Sequence, residues 1–342
     1  MRRACRWTRP GAAAALVLAG VLLNDPPVRG QAPAAGPVTG AREMASKRLP
    51  PGEGFRVFVV PDMEGMGSAV DIHEVIAGTE GERYTNLTSV DYWDRFRSLL
   101  TGEVNATIAG ARKGGGESFV VTEGHGGNLF ANVLPWELDP EAMLVRGWPR
   151  PIVMITGLDE SFGTVIFTGA HANAGSRGVL AHNFAFDEFT VNGRELNEVG
   201  INALIAGEMG VSVSMVSGDD VLVAETQEML GNGLIGVVVK KALGGSAAIT
   251  YSPERVRRML EEAAEEAVRR ERNGDFAPFV LEKPYRVELA LRKSYPAEYV
   301  QGVEGLEGFE LEKTGERTFR IVTSDAKEIG HLLNAIEEVV LR

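Results

Sequence analysis

Apolar runs of strand length alternate with longer stretches whose apolar positions recur at helical spacing. Strand-like runs fall at residues 55–60, Ser118–Thr122, 164–168, 211–216 and 236–239, and helical patterns cover about 90–110 and 196–207. Alternation of this kind predicts a mainly parallel sheet covered by helices, an α/β architecture. One hairpin signal interrupts it, where the run 184–191 meets Asn192-Gly193 ahead of the helix that carries Glu198. Ser252-Pro253-Glu254 then opens a long helix to about residue 272, with Ser at the N-cap and Pro just inside. Beyond it the runs Tyr285–Leu291 and 318–322 and a last amphipathic helix, Ala326–Val340, form a smaller C-terminal α+β unit. The expected organisation is a metal-binding α/β domain over 54–250 and the smaller unit over 251–342.

Three of the strand-like runs end directly in residues able to hold a metal ion. Asp62 and Glu64 follow the first, Glu123 and His125 the second, and His171 the third. In an open α/β sheet, ligands bind in the crevice outside the carboxyl ends of the strands, so these side chains are expected to converge although they are distant in sequence. Oxygen donors mixed with imidazole suit zinc or manganese, and a shared carboxylate can hold two ions about 3.5–4 Å apart. His171 and His182 bracket a polar, glycine-rich loop, in which one histidine is expected to bind metal while the other handles protons. Asp219 and Asp220 follow another strand end, where capping of the next helix is the simpler reading and binding of a substrate amine the other. His73 and His331 read as structural or exposed. No Gly-x-Ser-x-Gly elbow, P-loop or dinucleotide fingerprint occurs, so a metallohydrolase is the leading reading.

Composition narrows the partners. The chain has 342 residues, 44% of them hydrophobic and 24% charged, with a net charge of −12. Arg2, Arg3, Arg6 and Arg9 precede an apolar stretch at 11–23 and a Pro-rich segment, the arrangement of a secretory signal peptide over residues 1–30, followed by a linker over 31–53. The apolar stretch is shorter than the ~20 residues of a bilayer span. An uncleaved anchor is the rival, and the Arg2-Arg3 pair leaves twin-arginine export open. Without residues 1–30, which hold five Arg and one Asp, 30 basic residues face 46 acidic ones and the charge is −16. Such a surface disfavours nucleic acid and anionic membrane. The single cysteine, Cys5, lies in the leader, which removes thiolate zinc sites and cysteine nucleophiles from the mature chain.

Five segments occur in an order that goes beyond composition: Val60-Pro61-Asp62-Met63-Glu64-Gly65, Gly124-His125-Gly126, Gly169-Ala170-His171, the Gly178–Val179–Leu180–Ala181–His182 run, and Asn197-Glu198-Val199-Gly200-Ile201-Asn202-Ala203. Over about 55–252 the chain resembles the zinc-dependent D-aminopeptidase family. That resemblance implies a three-layer α/β/α domain and a smaller second domain. It implies two zinc ions bridged by Asp62 and completed by Glu64, His125, His171 and Glu198, with His182 as the catalytic residue, and a ring-shaped homo-oligomer acting on short peptides, with a D-amino acid at the N-terminus. Two departures bear on the site. Glu123-Gly124-His125 stands where the family usually has Asp-Ser-His, which is expected to alter imidazole orientation, and Asn183-Phe184 replaces a small hydroxyl residue, which is expected to reshape the pocket. The function expected is hydrolysis of the N-terminal residue of short peptides by a metal-activated water, in a secreted or periplasmic protein. The alternatives are a secreted peptide-binding protein without turnover and a metal-dependent amidase acting on a non-peptide substrate.

Overall fold

The computed structural model describes residues 54–76 and 89–340, so the expected leader and linker lie outside the described residues. In chain order the elements are β1 (Arg56–Pro61), a single turn α1 (Ile72–Val75), α2 (Ser89–Lys113), β2 (Ser118–Thr122), β3 (Ala142–Val145), β4 (Phe162–Thr168), β5 (Phe186–Val191), β6 (Arg194–Glu195) and α3 (Glu198–Glu208). They continue with β7 (Ser212–Asp219), α4 (Asp220–Leu230), β8 (Ile235–Gly244), β9 (Ala247–Thr250), α5 (Pro253–Glu271), β10 (Tyr285–Leu291), α6 (Ala297–Glu304), β11 (Glu312–Lys313), β12 (Thr318–Thr323) and α7 (Ala326–Val340).

A seven-stranded sheet runs β3-β2-β1-β4-β7-β8-β9, parallel throughout except for the β8–β9 pair. Strands buried on both faces need apolar residues at every position, which is why β1 reads as a continuous run rather than an alternation. Val57 and Val59 pack toward α2 and α5 with Leu100, Val104 and Leu260, while Phe58 and Val60 pack toward α3 with Val199, Leu204 and Ile205. With α4 on the α3 face, this is a three-layer α/β/α domain.

A second, antiparallel sheet is ordered β11-β12-β10-β5-β6. Its β10 alternates, with Tyr285, Val287, Leu289 and Leu291 buried. The hairpin expected at Asn192-Gly193 joins β5 to β6, both turn residues having the positive φ (53° and 74°) that this dipeptide tolerates.

The two sheets do not divide the chain at residue 250. The second takes β5 and β6 from inside the 54–250 segment, and α5, expected in the smaller unit, packs along α2 on the first sheet. The reason is continuous burial: α3 and α7 lie in one apolar core with residues of both sheets, including Val165 and Val213 from the first and Phe189, Val287 and Phe319 from the second. Among the described residues no helix is long and apolar enough to cross a membrane.

Candidate metal centre

The strand order reverses at β1, which has β2 on one side and β4 on the other, and this is where an open parallel sheet leaves a crevice at its carboxyl end. The loops leaving these three strands are tied to one another through the main chain. The Asp62 N–H donates to the Thr168 carbonyl (2.8 Å), Gly65 N–H to that of Gly169 (2.7 Å), and Gly124 N–H to that of Pro61 (2.8 Å). Gly65 is required by this closeness, since a Cβ there would stand 1.7 Å from the Ala170 carbonyl oxygen.

Two buried side chains fix the loop after β1. Lys240, from β8, donates its Nζ protons to the carbonyls of Glu64 (2.5 Å), Ala69 (2.6 Å) and Met66 (3.1 Å), and burial pushes its pKa down to about 8. Glu103, from α2, accepts from the Gly67 N–H at 2.9 Å, and burial pushes its carboxyl up to about 7. The loop after β2 has its own anchor. Glu123 accepts from the N–H groups of Asn132 (2.8 Å) and Val133 (2.7 Å), and the Asn132 amide donates back to the His125 carbonyl (2.9 Å). The Glu123 carboxylate is thus engaged with the 125–133 loop backbone, and imidazole orientation is set elsewhere.

That orientation comes from carbonyl groups. His125 Nε2 bonds the Val75 carbonyl (2.8 Å), His171 Nδ1 that of Ala172 (3.1 Å) and His182 Nδ1 that of Leu180 (2.8 Å). A carbonyl only accepts, so each of these nitrogens carries the proton, and in the neutral ring the other nitrogen turns a lone pair toward the centre. There it meets carboxylate oxygens. His125 Nδ1 lies 2.7 Å from Glu64 Oε2 and 3.4 Å from Asp62 Oδ1, and His171 Nε2 lies 3.5 Å from both Asp62 Oδ2 and Glu198 Oε1. His182 Nε2 is 3.8 Å from Glu198 Oε1 and 4.0 Å from Glu64 Oε1, and its ring stacks on that of His171 with centroids 3.8 Å apart.

Lone pairs facing carboxylates in a buried space require a cation between them, either protons or metal. The electrostatics show how strained the proton solution is. Burial, then the Glu64 charge, pushes Asp62 up to about 8. Burial opposes charge on the rings, yet the carboxylates prevail, Glu64 first for His125, which is held well above the usual imidazole value, and Glu198 first for His171, which reaches about 10. Burial and the neighbouring His171 charge push His182 down to about 4. Donor atoms bound at about 2.0–2.1 Å around a tetrahedral ion lie roughly 3.3–3.4 Å apart, close to the 3.4–3.5 Å separations around Asp62. The donor set therefore fits metal ions, and it falls into two groups, Asp62 with Glu64 and His125, and His171 with His182 and Glu198.

All six residues singled out from the sequence, Asp62, Glu64, His125, His171, His182 and Glu198, line one cavity. Glu198 is the first residue of α3, after its N-cap Asn197, and its Oε1 accepts from the Phe184 N–H at 2.6 Å. Phe184 is thus both a wall of the cavity and a support for a ligand-type carboxylate. Asp219 caps α4, accepting from Leu222 N–H, and also receives the Val179 N–H of the loop leading to His182. His331 bonds the Pro151 carbonyl and does not line the cavity, and His73 lies in α1, two residues before the carbonyl that holds His125.

Sequence reasoning missed Lys240, Glu103 and Glu337. Glu337 lines the same cavity from α7, where burial and then the charge of Glu198 push its carboxyl up to about 7. A signal for it existed: Gly330, Leu333 and Asn334 are buried, and Glu337 follows at the i+3/i+4 spacing that continues their face.

Comparison with known proteins agrees with this geometry. A D-aminopeptidase from Bacillus subtilis (strain 168) is 32% identical over 210 residues, 61% of this chain and 72% of that protein. The solved structure of the Zn-dependent D-aminopeptidase DppA from Bacillus subtilis, described as a self-compartmentalizing protease, superposes with a TM-score of 0.74 at 28% identity, covering 84% of this chain and 98% of the other. Residues 55–335 match the model of peptidase family M55, described as D-aminopeptidase, and with that span containing both sides of the cavity's strand-end cluster the chain belongs to the D-aminopeptidase family.

Proposed function

We propose that this metal-dependent aminopeptidase works with two zinc ions, that Asp62, which faces both His125 and His171, would serve both of them, and that it releases a D-amino acid from the N-terminus of short peptides. The observation that carries the reading is the arrangement of three imidazoles, each pinned to a main-chain carbonyl through one nitrogen and facing buried carboxylates with the other. Glu64 and His125 would complete one ion's set, and His171 with Glu198 the other's. Bound zinc supplies Lewis acidity at the scissile carbonyl and makes water acidic near neutral pH. His182 is the ring left for proton transfer. Its side chain is 31% exposed against 2–3% for the other two, so Nε2 is the lone pair that reaches substrate. That atom would take a proton from the attacking water and return it to the nitrogen of the leaving amine. Phe130, Val153 and Phe184 give the cavity, about 70 Å³, an apolar wall suited to a small N-terminal side chain.

Self-association is part of the proposal. The solved relative is described as self-compartmentalizing, and in this chain the β8–β9 hairpin at the sheet edge exposes Leu243 (68%) and Ile249 (54%). The hairpin touches the catalytic loop, since the Leu180 N–H donates to the Gly245 carbonyl at 2.8 Å, so assembly through it would border the site and restrict access to short peptides. The basic and apolar N-terminal segment supports export to the periplasm or beyond. The test uses protein purified from the exporting cell: D-Ala and L-Ala dipeptides are assayed with and without chelator, alongside metal analysis, light scattering and N-terminal sequencing. Chelator-sensitive cleavage of D-Ala dipeptides with two zinc ions per chain is expected. Turnover that survives metal removal, or peptide binding without turnover, overturns the reading.

A further inference from the structure

Glu337 is a half-buried residue whose carboxylate is only partly partnered. It accepts from the Ala185 N–H, but its Oε1 is buried with no hydrogen-bond partner. The next residue shows what a partnered acid on this helix looks like, since Glu338 Oε1 receives the Asn334 amide at 3.0 Å. Arg292, the cation whose charge reaches Glu337, donates instead to the Phe184 carbonyl. Glu337 stands outside both groups of candidate metal ligands, yet it lines the cavity they share, on the wall contributed by α7. It also lies beyond residue 335, the last residue matched to the family model.

A carboxylate oxygen is acceptor-only, and leaving it buried without a donor is costly. The unpaired oxygen lines a cavity open to incoming substrate, so a donor carried by the substrate would complete it. A primary ammonium is compact and brings three donors. We propose that Glu337 receives the α-ammonium of the peptide, so that α7 selects for a free N-terminus while the strand-end loops serve the scissile bond. The inference rests on the aminopeptidase reading and deepens it by naming the specificity residue.

Glu337→Gln keeps the shape and removes the charge. In the metal-loaded full chain, KM for an alanyl dipeptide is expected to rise about 10- to 100-fold with kcat changed less than about threefold, and metal content and thermal unfolding should stay as in the parent. Glu337→Asp, which keeps the charge but withdraws it, should fall between the two. A second readout needs no turnover: calorimetry on metal-free protein with alaninamide and lactamide, which differ in carrying an ammonium or a hydroxyl. The parent should prefer alaninamide at least about tenfold, and Glu337→Gln should bind the two alike. Unchanged KM, a fall in kcat alone, or loss of metal from the variant overturns the proposal. So does a parent protein that binds lactamide as tightly as alaninamide, a measurement that stands even if Glu337→Gln fails to fold. Absence of peptidase activity in the parent would sink the aminopeptidase reading instead, with the calorimetric preference still deciding the role of Glu337.

Discussion

At the carboxyl end of the first sheet, Asp62, Glu64, Glu103, Glu123, His125, His171 and Lys240 are buried, and each is held in place by main-chain groups or by another charge. On the second sheet the charges face outward, as where Arg320 donates to Glu288 across the β10–β12 pair at 2.8 and 2.9 Å with both side chains substantially exposed. The same chemical groups have different worth in the two places because water screens one set and not the other. Burial concentrates function, and the outward sheet supplies a scaffold whose charges are replaceable.

Breaking the buried side should have the largest consequence. Asp62→Ala removes the one carboxylate that faces both His125 and His171, and is expected to abolish metal binding by elemental analysis and to lower kcat/KM by at least about 10³-fold. His182→Ala should lower kcat by about 10²- to 10⁴-fold while metal content holds; loss of metal would make His182 a ligand instead of the proton carrier. Lys240→Met strips the donor from three buried carbonyls and should cost about 2–4 kcal/mol in urea unfolding, with zinc affinity weakened about 10- to 100-fold as the Glu64 loop loosens.

A smaller effect separates the metal-free from the metal-loaded protein. Without metal, the folded pKa of Asp62 is about 8 against an ordinary 3.8, and that of His171 about 10 against 6.5. Both bind protons more tightly folded than unfolded, so the stability they contribute is full below their ordinary values and is lost as pH rises through the folded ones. Metal-free protein should therefore lose Tm between pH 6.5 and 10, whereas bound ions replace those protons and remove the loss. A rising Tm for chelated protein over that window would contradict it. Smallest of all, Arg320→Ala should leave Tm and activity unchanged, and a clear loss there would erase the contrast between the sheets.

Much of the site was legible because its residues sit where strands end, and strand ends are visible as the last apolar residue before a charge. β1, β2 and β4 announced Asp62, Glu64, His125 and His171 in this way, and the Asn-Gly turn located the start of α3 and so Glu198. Roles within the cluster came from family resemblance, since spacing alone does not say which histidine stays free. Lys240 was illegible because a buried lysine in a strand looks like an outward-facing one until its acceptors, 171 to 176 residues away, are brought to it. The second sheet was half legible for a related reason. β10, β12 and α7 carry local patterns, but the membership of β5 depends on the pairing of Val191 with Val287, which no local pattern records.

The carbonyls of Val75, Ala172 and Leu180 have a consequence for how such a site persists over evolutionary time. Because peptide oxygens orient the three imidazoles, no further side chains have to be inherited to aim the rings, and the supporting side chains, such as Lys240 and Glu103, serve the loops instead. Positions 75, 172 and 180 are free to drift among residues that keep the local chain path, while glycines such as Gly65 that set that path are not. Divergent homologues should thus retain the cluster while positions 75, 172 and 180 vary, with the aim of the rings lodged in backbone shape more than in those letters.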